Sequence, residues 1–448
     1  MEVLGLVRSL RTTIAPIHRI PPDVLSLIPD YYCDDDDDDD DDEGDMNGRD
    51  RYLVTLTHVC RGWRDIFLSR PSLWTELHFM DIDKTRTYLQ RSQNSPLDIY
   101  LDNAEWPGYE YDALPLIIPH IHRLRLLDIF TSGDLPNVLS HFYGHMPLLE
   151  VLRIAGYGID NVLDRALFGG DLSSLHELNL SSIETPLPWR NLTNLRVFRF
   201  QYYDQRHDVN QLLDFFESTP LLHTIMLRAS STPDLSDTPL ERTVSLPHLN
   251  MLDVDAKPPN AFLLNHLYIP AGASLTLVLC FGFPRVDAFP PLYHFPERSS
   301  YPRNLTLIQR LSVFEYKHPR STEVNNCPVF QTLSSMEKLR TLTLIACDNL
   351  PFVSALNPEE GPSNLVQCPN MKTLLFCIKL QDQFDIGHLI NMAKNRASRK
   401  ARLWSITIVG PDGLMSGLEM LELMEHVTHV EYKFGDKPPF TWDGVDTY

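Results

Sequence analysis

The chain is 448 residues long, with 43% hydrophobic and 10% aromatic residues, enough to bury a sizeable core and too apolar for an intrinsically disordered chain. Its formal charge is −20, from 39 Lys plus Arg against 59 Asp plus Glu, which argues against nonspecific binding to nucleic acid or an anionic membrane. No apolar run approaches the roughly 20 residues of a membrane span, and seven scattered cysteines without a Cys-x-x-Cys pair favour reduced thiols in the cytoplasm or nucleus.

Residues 1–16 read as an N-terminal extension whose Arg8 and Arg11 outweigh Glu2, a faint transit-like feature that runs straight into a better motif. Ile20-Pro-Pro-Asp-Val-Leu-Ser-Leu-Ile28 predicts a short amphipathic helix: Pro21 and Pro22 suit a helix start, Asp23 its positive end, and Val24, Leu25 and Ile28 an apolar stripe. Pro29 disfavours helix at Ile28. Asp34–Asp42, Glu43 and Asp45 then concentrate eleven negative charges, and repulsion without apolar surface predicts a solvated, disordered insert over 34–50. Lengthening such a link costs only about 0.6 kcal/mol per doubling. Beyond it, Leu53, Leu56, Val59, Cys60 and Trp63 fall on one helical face, followed by Pro71-Ser-Leu-Trp74.

Together, Ile20-Pro21-Pro22-Asp23, Val59-Cys60-Arg61-Gly62-Trp63 and Pro71-Ser72-Leu73-Trp74 resemble the F-box, a three-helix module, in the form it takes in fungal proteins. The resemblance implies an F-box-like helical module over 17–75 that docks on the Skp adaptor of a Skp, cullin and F-box ubiquitin ligase, with Ile20, Pro21, Pro22, Leu25, Ile28, Leu56, Val59 and Trp63 facing the adaptor. It implies no chemistry and no cofactor for the module itself. The alternative is a set of capping helices that shield a repeat array from solvent.

Residues 76–434 carry a recurring Leu-x-x-Leu-x-Leu template: Ile121/Leu124/Leu126, Leu149/Leu152/Ile154, Leu175/Leu178/Leu180, Leu195/Phe198/Phe200, Leu222/Ile225/Leu227 and Leu249/Leu252/Val254. A weaker unit lies near Leu275, then Ile308/Leu311/Val313, Leu339/Leu342/Leu344, Met371/Leu374/Phe376, Leu403/Ile406/Ile408 and Val427/Val430/Tyr432. Two alternating apolar residues per strand point inward and the first closes the preceding turn, a pattern that matches leucine-rich repeats. Cys347 completes the longer form of one repeat, and Asn210–Ser218 and Ile386–Arg396 predict helices between strands. The expected architecture is α/β, a three-helix F-box module followed by an irregular leucine-rich-repeat solenoid, or horseshoe, with residues 435–448 as a tail.

Residues between the template positions face the concave side, which places Arg125, Arg153 and Arg199 at strand centres, flanked by Arg123 and Arg228. Guanidinium forks bind carboxylate and phosphate, so this stripe is the expected site for an acidic or phosphorylated target protein, or even for the aspartate insert itself in the free protein. The arginines have a second possible use, pairing with Glu150, Glu177 or Asp128. Thr341, Thr343, Thr373 and Ser405 make the late repeats neutral. Lys394, Arg396, Arg399, Lys400 and Arg402 suggest either a nuclear localisation patch or, better, a solvated helix end.

No nucleotide-loop, zinc-protease or serine-hydrolase motif is present, and the pairs His120/His122 and His141/His145 lack further ligands at metal spacing, so neither catalysis nor metal is expected. The expected partners are a Skp-type adaptor, a cullin through it, and a target protein, with no membrane and no nucleic acid. The competing reading is a repeat scaffold or chaperone whose aspartate run attracts basic proteins such as histones.

Overall fold

The computed structural model describes residues 20–25, 27–28, 48–78, 82–102, 112–131, 135–156, 172–183, 192–203, 209–229, 242–255, 263–264, 266–270, 273–281, 304–311, 338–345, 349–359, 366–378, 384–411 and 413–434. The expected acidic insert, Pro29, Cys347 and the 435–448 tail lie outside these residues. The chain is mixed α/β, and it divides into two compact units, residues 1–175 and 176–448. The division falls within the strand series rather than after residue 75.

The first unit opens with helices α1 (Pro22–Leu25), α2 (Gly48–Val59) and α3 (Arg61–Leu68). Cys60 separates the last two because its backbone is extended, at φ −160° and ψ 173°. Trp63 and Phe67, one turn apart on α3, are buried and meet edge to face at 5.7 Å. A 3-10 turn, Pro71–Trp74, follows, and Trp74 fastens it: the indole N–H donates to the Phe67 carbonyl at 3.0 Å, with Tyr88 edge-on at 5.1 Å. The Arg91 guanidinium lies 4.4 Å over the same ring. Tyr88 and Arg91 belong to α4 (Ile82–Arg91), so one fully buried tryptophan ties α3 to the start of the sheet.

That sheet is parallel throughout: β1 (Glu76–His78), β2 (Leu97–Asp102), β3 (Leu124–Thr131) and β4 (Val151–Gly156) pair in chain order. β1 and β2 precede the first expected repeat and extend the strand series toward the N-terminus. Their inward residues Leu77, Ile99 and Leu101 are buried. The expected triplet Ile121/Leu124/Leu126 is corrected to Leu124/Leu127/Ile129, since Leu127 and Ile129 pair with Leu152 and Ile154 and all three are inaccessible. The cause is a bulge: Leu97 and Asp98, adjacent on β2, pair with Leu124 and Leu126, leaving Arg125 as the extra residue. α5 (Leu135–Leu139) completes this unit.

The second unit carries a larger parallel sheet of ten strands, in the order β5 (Glu177–Ser181), β6 (Val197–Tyr203), β7 (Thr224–Ala229), β9 (Met251–Asp255), β11 (Ser274–Phe281), β12 (Asn304–Leu311), β13 (Thr341–Ile345), β14 (Thr373–Cys377), β15 (Ser405–Gly410) and β16 (His429–Phe434). Strands β8 (Val244–Ser245) and β10 (Leu267–Tyr268) form a separate two-stranded pair. On β12 the register lies six residues before the expected one, opposite in sense to β3: Leu305 and Leu307, not Leu311 and Val313, pair with Leu342 and Leu344.

The first template residue closes a turn by donating its amide to a carbonyl three positions back: Leu149 to Met146, Leu175 to Leu172, Leu195 to Leu192, Leu249 to Leu246 and Met371 to Cys368, at 3.0–3.2 Å. Those earlier residues are themselves buried, so each unit buries four apolar positions in a Leu-x-x-Leu-x-x-Leu-x-Leu series. Helices α6 (Val209–Ser218), α7 (Asn349–Leu356), α8 (Ile386–Ser398) and α9 (Gly417–His426) alternate with strands. Phe215 and Phe216 of α6 pack on Phe198 of β6 at ring distances of 4.6 and 6.3 Å. α9 starts with a reciprocal capping box between Ser416 and Glu419.

Candidate functional site

Of the residues expected to face an adaptor, α1 and the two following helices bury some and present others. Leu25, Leu56 and Trp63 are buried at 3%, 5% and 7% exposure, Ile20 and Ile28 are half-buried, and Pro21 and Pro22 are exposed. Val59 is 55% exposed because it ends α2, where the chain straightens at Cys60. Beside these, Val24, Leu27 and Val54 also face solvent. The exposed aliphatic residues that a partner could cover are therefore Val24, Leu27, Val54 and Val59, whereas Leu56 and Trp63 are buried. The Trp63 indole nitrogen is buried with no hydrogen-bond acceptor.

The arginines have a different fate. Arg123 is 3% exposed, and its guanidinium donates to the Ser95 carbonyl at 2.7 Å, the Ser92 hydroxyl at 3.2 Å and the Leu89 carbonyl at 3.4 Å, closing the end of α4. Burial lowers its pKa. Arg125, the bulge residue, forks onto the Asp98 carboxylate of β2, with its Nε at 2.9 Å from Oδ1; that hydrogen bond raises its pKa. Arg153 stands directly opposite Asp128 on β3, 3.5 Å away.

In the second unit Arg199 reaches the Glu177 carboxylate of β5 at 2.8 Å. Arg228 holds Asp253 of β9 at 2.7 Å, a pair with 6% and 0% side-chain exposure. Each of the five arginines of the expected stripe thus has a partner in its own chain, four of them carboxylates of adjacent strands and one a helix end. Two of the acids, Asp128 and Glu177, are the neighbours named from the sequence. Glu150 is not a hydrogen-bonded partner in any of these pairs, although its charge adds to the upward shift of Arg125.

The basic cluster at the end of α8 and just beyond it divides in the same way. Arg396 is fully buried and donates to the carbonyls of Gln367 at 2.7 Å, Cys368 at 2.9 Å and Leu356 at 3.4 Å, joining α8 to the end of α7 and to the turn before β14. Burial lowers its pKa to about 10, and pushes the neighbouring Cys368 thiol up to about 12. Arg402 is exposed yet caps the end of α9 through the carbonyls of His426 at 3.0 Å and Glu425 at 3.1 Å. Lys394, Arg399 and Lys400 remain at the surface.

A different set of cations is exposed and carries no carboxylate among the described residues: Arg340 and Lys372, beside the exposed Trp404 and His429 at the entries of β13 to β16. No group of three or more His, Cys, Asp or Glu placed to hold a metal ion occurs among the described residues, and no helix there is long and apolar enough to cross a membrane. The geometry is that of surfaces, aliphatic in the first unit and cationic with an aromatic in the second. A scan against protein-family models finds no match, and a search of curated proteins finds none either.

Proposed function

We propose that this chain is a substrate receptor of a Skp, cullin and F-box ubiquitin ligase, in which the helices over 20–68 bind a Skp-type adaptor and the repeat strands hold a target protein. The observation that carries the reading is the exposure of four aliphatic residues, Val24, Leu27, Val54 and Val59, in the helical segments that bear the Pro-Pro-Asp and Val-Cys-Arg-Gly-Trp motifs. Exposed aliphatic surface of this kind needs a cover in solution. Trp74 supports the same arrangement, because it anchors the helices to the helix between the first two parallel strands of the same unit.

Within this reading, Leu25, Leu56 and Trp63 act as the packed base of the adaptor face, and Val54 and Val59 as its contact. Co-expression with a Skp adaptor followed by size-exclusion chromatography tests it. A stoichiometric complex is expected for the native chain, and Val54→Asp with Val59→Asp should abolish it while leaving the circular dichroism unchanged, since both valines face solvent. A complex that survives both substitutions would remove the helices from the adaptor interface. Loss of a histone interaction on deleting Asp34–Asp42, with no adaptor complex, would favour the scaffold reading instead.

A further inference from the structure

Each strand entry in the late part of the second unit is tied to the one before it by a backbone bond. The Lys372 amide donates to the Arg340 carbonyl, Trp404 to Lys372 and His429 to Trp404, each at 2.8 Å. Those bonds set the four residues side by side at the strand spacing of about 4.8 Å. All four are exposed; Trp404, at 59%, is the most exposed tryptophan among the described residues, and its indole stacks on His429 at 6.3 Å and 28°.

Arg125, Arg153, Arg199, Arg228 and Arg242 each hold a carboxylate, whereas Arg340 and Lys372 hold none among the described residues. Glu431, on the neighbouring β16, is taken up by Lys433 at 3.3 Å. In a chain of net charge −20, two adjacent cations that hold no carboxylate among the described residues, beside an exposed indole, form a local reversal of field. Directly inside them, Thr341 and Thr373 pair in register and add half-buried hydroxyls.

We infer that this row is a docking strip for an extended acidic peptide, which places two neighbouring carboxylates, or one phosphate, on Arg340 and Lys372 and an apolar or aromatic side chain on Trp404. A guanidinium and an ammonium about 5 Å apart at the backbone suit either anion. The indole supplies the apolar contact that an acidic residue alone would not use. A nucleic acid fits less well: its affinity comes from many phosphate contacts, and two cations on a strongly anionic protein provide few. The inference rests on the proposed function only in assigning the target to the strands.

The test uses the full chain without adaptor, so its failure leaves the adaptor reading standing. Fluorescence anisotropy is measured with short fluorescein-labelled peptides containing Glu-Glu-Leu-Phe, phosphoserine-Leu-Phe or Gln-Gln-Leu-Phe, and with a single-stranded oligonucleotide of matched length. Either acidic peptide is expected to bind at least about tenfold more tightly than the Gln-Gln peptide, and Arg340→Ala with Lys372→Ala to remove that advantage. Trp404→Ala should weaken both acidic peptides while the circular dichroism stays native. The stronger of the two acidic arms identifies the anion as carboxylate pair or phosphate. Equal binding of acidic and Gln-Gln peptides, indifference to the three substitutions, or tighter binding of the oligonucleotide overturns the inference.

Discussion

An arginine on a strand surface can serve as a free ligand site or as a strut, and its neighbours decide which. Arg153, with a side chain 39% exposed and 3.5 Å from Asp128, gains little from its pair because water screens both charges. Arg228 is different, since Asp253 is fully inaccessible and removing the guanidinium would take its ion-pair partner away in a site that water does not reach. Urea unfolding of Arg228→Ala should therefore show a loss of about 3–5 kcal/mol, against less than about 1 kcal/mol for Arg153→Ala. Equal losses would mean that the buried pair is not what holds β7 to β9. Asp128 and Glu177 are named as partners from the sequence, but the acids that hold Arg125 and Arg228 are not visible along the chain. Asp98 and Arg125 are 27 positions apart, and Asp253 and Arg228 are 25 apart, so each pair exists only once the strands are in register.

At the scale of the element, the four-position apolar series explains both the regularity of the strands and the places where it misleads. Ile121, Leu124, Leu127 and Ile129 correspond to Met146, Leu149, Leu152 and Ile154, so a three-position template fits the β3 region in two ways. The bulge at Arg125 decides for Leu127, which is fully buried while Leu126 is half-buried. Leu127→Ala should cost about 2–5 kcal/mol and Leu126→Ala distinctly less; the reverse order in thermal unfolding would restore the earlier register. Strands whose two inward residues are both leucine or phenylalanine, such as β5 and β6, were legible from spacing alone. β1 was not, because Glu76-Leu77-His78 has a single inward apolar residue. The Arg340, Lys372 and Trp404 row is also legible in the sequence, since each follows the first template residue of its unit.

For the molecule as a whole, the charge of −20 proves a poor guide to its surfaces. Eleven of the negative charges sit in residues 34–45, Arg125, Arg153, Arg199 and Arg228 are neutralised by neighbouring carboxylates, and the exposed Arg340 and Lys372, which hold no carboxylate among the described residues, lie at strand entries of the second unit. The proposal divides labour accordingly, an aliphatic helical face for the adaptor and the strands for the target. Hydrogen exchange read by mass spectrometry, on the full chain with and without a Skp adaptor, tests that division most directly. The account predicts that added adaptor slows exchange in residues 20–28 and 48–68 and leaves the strands from β5 to β16 unchanged. Protection confined to those strands, or no protection anywhere at saturating adaptor, would contradict it.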